Sequence, residues 1–242
     1  MTQFHTKSKL SPKYEDELKL AQKDSVAKAF AENPSPDGLA DIGIDALDAF
    51  ENLLKRFYDE EKPDQPLACQ AGCTFCCHQY VGISAAELAI VTKYVETNFD
   101  AADQLQLRDR LGKTLEATAG MNQFERAASR IDCPLLDETT RHCTIYTARP
   151  LTCRGMHSLD REACEKDDAT PGQNHPIPQF EDHKSITRSI AIGLHLGIAE
   201  NDLEAKELEL GRALLIALSG KDAIKRWING EAVFADAVVP EN

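Results

Sequence analysis

Residues 69–77 read Cys69-Gln70-Ala71-Gly72-Cys73-Thr74-Phe75-Cys76-Cys77, four thiols in nine residues. Placed on a straight helix, these cysteines stand at i, i+4, i+7 and i+8 and share one face about 100° wide. The same helix spreads them over about 12 Å at 1.5 Å per residue, whereas a zinc ion holds each sulfur at about 2.3 Å. One ion therefore cannot collect all four from a regular helix. Either Gly72 bends the segment into a ligand loop, or pairs of these thiols are completed from elsewhere in the chain.

The partners for such pairs are Cys133, Cys143 and Cys153, in a second short segment. Both alternatives bring the two segments together in space, with a metal as the staple. Cys133-Pro134-Leu135-Leu136-Asp137, polar residues to Arg141, then Cys143-Thr144-Ile145-Tyr146 read as two short runs around a turn. A small β-hairpin with a cysteine on each arm is expected. Arg149-Pro150 then starts a turn or short helix, because proline suits a first helical position, and Cys153 falls about one turn further on. The eighth cysteine, Cys164, follows Glu162-Ala163 and reads as a core thiol apart from the site.

Thiolate-rich sites suit both zinc and iron–sulfur clusters, and ligand type alone does not separate them. His78 and His142 each adjoin a cysteine and are alternative nitrogen ligands, although with seven thiols at hand a supporting or surface role suits them better. His157 is near the site in sequence, while His175 and His183 flank a polar loop and are expected to be solvated. Arg149 and Arg154 beside thiolates would lower thiol pKa values and hold the anionic form. Tyr146 reads equally as hairpin core or as a functional group. The carboxylates show no catalytic spacing and read as solvated helix faces. No Ser/His/Asp arrangement, phosphate loop or dinucleotide loop is visible.

Outward from the cysteines the pattern is helical. Leu47, Phe50, Leu54, Phe57 and Tyr58 recur on one face of a helix that ends near Lys62-Pro63. Ser84-Ala85-Ala86-Glu87 is a capping box, and Leu88, Val91 and Val95 follow as a buried stripe. Leu107, Leu111 and Leu115 place a helix over 103–119, with a short one over 124–130. Beyond a polar loop at 166–182, Ile186, Ile190, Leu194 and Gly197 make one stripe. Leu203, Leu208, Leu214, Leu215 and Leu218 make another, stopped by Gly220. Near the start, Tyr14, Leu18, Ala21 and Phe30 form an amphipathic stretch, closed by the linker-like Asn33-Pro34-Ser35-Pro36-Asp37-Gly38. The expected fold is mainly α: a helical domain with a small cysteine-bearing β-hairpin and loop region stapled by metal. The expected organisation is a polar N-terminal extension and linker over 1–38, a cysteine-cluster metal-binding domain over 39–165, and a loop with C-terminal helices over 166–242 packing on the same core.

The 27 basic against 40 acidic residues leave a net charge of −13, which repels phosphate backbones and anionic lipid surfaces. The basic residues at 7–13, and Arg141, Arg149, Arg154 and Arg161, make no patch, so neither nucleic acid nor membrane is an expected partner. The first residues lack the apolar run of a secretory signal. The longest apolar stretch, 190–199, is too short to span a bilayer and contains His195. A soluble cytoplasmic protein is expected, and in that reducing compartment clustered thiols bind metal or do redox chemistry rather than pair as disulfides.

Taken in order, Cys69-x3-Cys73-x2-Cys76-Cys77, then Cys133-Pro134-Leu135-Leu136, then Cys143-Thr144-Ile145-Tyr146-x2-Arg149-Pro150-x2-Cys153-Arg154 resemble the YkgJ-like cysteine-cluster family, a zinc- or iron-chelating domain. The resemblance covers residues 69 to about 164. It implies that Cys69, Cys73, Cys76, Cys77, Cys133, Cys143 and Cys153 are the chelating positions, with Tyr146, Arg149, Pro150 and Arg154 as motif residues. It implies iron or zinc as the cofactor, and the thiolate-rich ligand set reads the iron as an iron–sulfur cluster. The expected function is that of a metal-binding cysteine-cluster protein. The alternatives are a cluster-dependent protein-modifying or redox enzyme, and a metal chaperone or sensor; no protein partner is indicated.

Overall fold

Serine and proline set the starts of the first two long helices. In the computed structural model, which describes residues 5–6 and 10–239, the hydroxyl of Ser11 accepts from the Tyr14 amide at 3.2 Å and Pro12 opens a helix. Ser35 and Pro36 repeat the device, with Gly38 N donating to Ser35 Oγ at 3.0 Å. Proline fits there because its missing N–H has no partner in a first turn. The linker-like stretch 33–38 therefore contributes only its first three residues to the connection. The expectations placed on 1–4, 7–9 and 240–242, among them the signal-free start and part of the basic stretch 7–13, lie outside the described residues.

In chain order the elements are β1 (His5–Thr6), α1 (Pro12–Glu32), α2 (Pro36–Glu61), β2 (Gly82–Ile83), α3 (Ala85–Asn98), α4 (Ala101–Ala117) and α5 (Gln123–Ala128). A 3₁₀ turn (Tyr146–Ala148), α6 (Leu151–Gly155), α7 (Arg161–Ala169), β3 (Gln179–Phe180) and α8 (Glu181–Ala199) follow. The chain continues through β4 (Leu208–Glu209), α9 (Leu210–Ser219), α10 (Ala223–Ile228) and a second 3₁₀ turn (Ala235–Ala237). Helix accounts for 60% and strand for 4%, so the mainly α expectation holds. The strands form two short pairs: β1 parallel to β3, with His5 opposite Gln179, and β2 antiparallel to β4, with Ile83 opposite Leu208.

The core is one contiguous apolar cluster running from Val26 and Phe30 of α1 through Phe50, Leu88, Leu107, Leu194 and Leu214 to Ala237. The N-terminal stretch thus carries a helix that joins this cluster. α1 lies along α8, where a Cβ at Gly197 would stand 2.5 Å from the Val26 Cβ and one at Gly193 would stand 2.6 Å from the Lys19 carbonyl oxygen. Only glycine permits that approach. Among the described residues no helix is long and apolar enough to cross a membrane.

Four elements differ from expectation. α7 occupies part of the stretch read as a loop over 166–182; it buries no residue, so it carries no apolar stripe to read, and Asp160 starts it by accepting from the Glu162 and Ala163 amides. The stripe 203–218 is not one helix: Leu208 is in β4, and only Leu210–Ser219 is helical. Pairing of Leu208 with both Ile83 and Val238 outweighs its place in a helical period. α10 and the second 3₁₀ turn had no expected counterpart.

Candidate metal centre

The 69–77 segment is a chain of turns. Cys73 N donates to Gln70 O at 3.0 Å, with Gly72 at the third position of that turn and φ of 84°, the left-handed value a type II turn demands there. Cys77 N to Thr74 O at 2.9 Å and Gln79 N to Cys76 O at 3.2 Å wind the remainder. Of the two alternatives posed by the spacing, the bend at Gly72 is present.

The second segment is the expected hairpin in miniature. Leu136 pairs with Cys143, flanked by Asp137 N to His142 O at 2.9 Å and Thr144 N to Leu135 O at 2.8 Å. Asp137 Oδ1 organises the turn by accepting from the Thr139 and Thr140 amides, and Arg141 takes the left-handed position at φ 57°. Cys143 sits on one arm. Cys133 stands just before the other, its carbonyl accepting from Leu136 N at 2.9 Å. Cys153 is carried by α6, whose start is fastened to the core twice: Leu151 N donates to the buried Glu87 Oε1 at 2.8 Å, and Thr152 Oγ1 donates to Gly82 O at 2.8 Å.

The two cysteine segments are adjacent. Cys133 N donates to Cys77 O at 2.6 Å, and the His142 ring lies over Gly72, its Nε2 3.3 Å from where a Cβ would be. A third strand of chain joins them, because Ser158, between α6 and α7, accepts from Ala68 N at 2.8 Å and gives its own N–H to Cys69 Sγ at 3.2 Å. Around Cys69, Cys73, Cys76 and Cys164 opens a cavity of about 290 Å³, with His157 and Met156 in its wall. Cys164 is therefore not a core thiol: it is half-buried on α7 and faces the first cysteine segment.

Burial pushes the Cys133 thiol up to about 12, although the Leu135 amide bonded to its sulfur opposes the rise. Burial likewise raises Cys143, against the Ile145 amide, and Cys69, against the Ser158 amide. Cys153 is held well above its ordinary value by burial and by the neighbouring Cys133, Cys76 and Cys143. At Cys76 a hydrogen bond with Cys77 is the first cause of the rise and desolvation the second. The Arg149 guanidinium works in the opposite direction on Cys76, Cys143 and Cys153, as expected of a cation beside thiolates. Such a site keeps its protons until a stronger Lewis acid takes their place.

The remaining residues sort by their partners. Arg154 donates to the Arg149 and Thr147 carbonyls and pairs with Glu51, so it braces α6 and does not face the thiols. Tyr146 is exposed, with the Arg149 guanidinium 3.9 Å above its ring, and is not hairpin core. His78 is buried and bonded through Nε2 to the Arg130 guanidinium. His157 has both nitrogens committed, Nδ1 to Gly155 O at 2.9 Å and Nε2 accepting from Phe180 N at 2.8 Å. His183 is not solvated as expected: it is 3% exposed, stacked on His157 with ring centroids 3.9 Å apart, and bonded through Nδ1 to the Tyr58 hydroxyl at 2.9 Å. His175 is half-buried, its Nε2 2.8 Å from Thr170 Oγ1. His142 is exposed.

Soft thiol donors with amide N–H groups aimed at three of the sulfurs fit zinc or iron and do not fit the oxygen-preferring divalent ions. Among the described residues no three His, Cys, Asp or Glu side chains are already drawn together as a closed metal-holding group. The backbone gathers the thiols, and coordination has to be completed by their side chains.

Residues 68–171 match the model of the CxxCxxCC family, described as "Putative zinc- or iron-chelating domain". The match takes in both cysteine segments and Cys164, and leaves α1, α2 and everything from β3 onward outside it. The resemblance read from the cysteine motifs holds over that segment. No curated protein matches the chain, and no solved structure does.

Proposed function

We propose that the cysteine-bearing segments form a thiolate metal-binding unit that takes iron, as an iron–sulfur cluster, or zinc, and that the bound metal ties the hairpin and the 69–77 loop to the helical core. Cys69, Cys73, Cys76, Cys77, Cys133, Cys143 and Cys153 are the thiolates offered to it. The observation that carries this reading is the bond from Cys133 N to Cys77 O, which locks two thiol-bearing stretches, distant in sequence, side by side. Zinc there would supply a redox-silent cross-link, and an iron–sulfur cluster would add one-electron chemistry. The chain's own contribution is to orient the sulfurs by amide donors, to lower the cost of gathered negative charge through Arg149, and to hold α6 in place through Glu87. The eight unpaired thiols suit a reducing, cytoplasmic compartment, and the net charge of −13 sets polyanionic partners aside.

Elemental analysis and an absorption spectrum of anaerobically prepared protein test this directly. Brown protein that bleaches in air identifies the cluster; colourless protein with stoichiometric zinc identifies the zinc site. Protein purified anaerobically with neither metal defeats the reading.

One observation favours a second reading, that of an enzyme using the centre itself: Cys69, Cys73, Cys76 and Cys164 open onto a cavity of about 290 Å³. A centre with a free coordination position would change its spectrum when cyanide is added. An unchanged spectrum returns the site to a purely structural role.

A further inference from the structure

The thiols do not form one group. Cys69, Cys73 and Cys164 line the open cavity together with Ser158, whose N–H is on the Cys69 sulfur. Cys133 and Cys143 instead pack against the apolar core, and Cys153, held on α6, has these two sulfurs and that of Cys76 within electrostatic reach. The adjacent pair Cys76 and Cys77 stands between: Cys76 lines the cavity, while the Cys77 carbonyl is bonded to Cys133 N. A tetrahedral zinc accepts four thiolates, and an iron–sulfur cluster is likewise held by four. Eight cysteines divided in this way supply two complete sets.

We propose that this chain holds two metal centres, an outer one at the cavity formed by Cys69, Cys73, Cys76 and Cys164, and an inner one against the core formed by Cys77, Cys133, Cys143 and Cys153. Cys164 thereby becomes a ligand, and the loop that carries Ser158 becomes the wall shared by the outer centre and α7. The inference rests on the thiolate metal-binding reading and adds to it the number of centres and the partition of the sulfurs. The two centres differ in setting. The outer one faces an open cavity and the inner one is screened by the hairpin, so the outer metal is the more exchangeable.

The test is a zinc(II) titration of the full-length reduced chain under anaerobic conditions, in competition with a chromophoric chelator. Thiol alkylation and mass spectrometry follow at each step. Two tight equivalents are expected. At one equivalent the alkylated protein should contain molecules with four blocked and four protected thiols, and peptide mapping should place the protected four in one set or the other. Cys164→Ser should weaken one equivalent by at least about 100-fold, beyond the 10- to 100-fold typical of groups that only support a ligand. It should expose Cys69 and Cys73 to the reagent while Cys133, Cys143 and Cys153 stay protected. Cys153→Ser should do the reverse. Because α7 buries no residue, the Cys164 substitution leaves the core untouched, and the wild-type alkylation pattern decides the question even if the Cys153 variant misfolds. All-or-none protection of the thiols in the wild type, or retention of both equivalents in Cys164→Ser, overturns the two-centre assignment and leaves metal binding standing. Failure of the wild type to bind any zinc overturns the underlying reading as well.

Discussion

His183 shows what a single residue does when its neighbours come from elsewhere in the chain. Phe50 and Tyr58 of α2 and His157 of the loop after α6 enclose its ring, and burial, with the adjacent His157 second, pulls its pKa down from 6.5 to about 3. The groups facing it are the neutral His157, itself lowered by burial, and the Tyr58 hydroxyl. A folded-state pKa below the unfolded one means that the unfolded chain binds the extra proton more readily. The stability contributed by neutral His183 is complete above about pH 6.5 and is lost as pH falls toward about 3, with a slope approaching 1.4 kcal/mol per pH unit, roughly one proton. Urea denaturation of wild type and His183→Gln at pH 7, 6, 5 and 4 should show the wild type losing stability more steeply; parallel curves would disprove the assignment. The residue's polar surroundings in sequence, Glu181, Asp182 and Lys184, point to solvent. Its burial is written in α2, which no local pattern connects to it.

At the scale of elements, Glu87 joins more than a capping motif suggests. Its Oε2 accepts from Ser84 N at 2.8 Å, completing the box at the start of α3, and its Oε1 accepts from Leu151 N at 2.8 Å at the start of α6. Both carboxylate oxygens are therefore spent on helix starts from two parts of the chain. Glu87→Ala should cost about 2–4 kcal/mol, the sum of a lost cap and a buried amide left without an acceptor. It should also lower metal content by loosening the helix that carries Cys153. Glu87→Gln, which keeps an acceptor oxygen, should cost less, and chemical denaturation with elemental analysis separates the two; equal losses would show that the retained acceptor oxygen carries no weight. The box itself was legible, since serine and glutamate three residues apart carry their own chemistry. The tie to Leu151 was not. α7 was equally invisible, because a helix with no buried face leaves no periodic apolar mark.

For the whole molecule, the separation of the apolar cluster from most of the thiols predicts the response to metal loss. The core from Val26 to Ala237 draws on α1, α2, α3, α8 and α9, none of which carries a cysteine. The 69–77 loop is held by turn hydrogen bonds, by its contacts to Cys133, His142 and Ser158, and by the Arg161 guanidinium 5.5 Å from the Phe75 ring centroid. Anaerobic chelation should therefore leave most of the helical circular dichroism intact while hydrogen exchange accelerates over 68–83 and 131–160. Wholesale loss of helix on chelation would show that the metal organises the core, as it does in small zinc domains. The sequence by itself determined the long helices through their apolar stripes, the capping box of α3, the hairpin and the two thiol groups along the chain. Periodicity, capping and ligand spacing act over a few residues and can be read there. Only the tertiary structure decided that Cys164 faces Cys69 across a cavity, that His183 is stacked in the interior, and that Leu208 joins a strand pair. Each of these depends on which distant surfaces dock, and docking is set by burial summed over the entire chain.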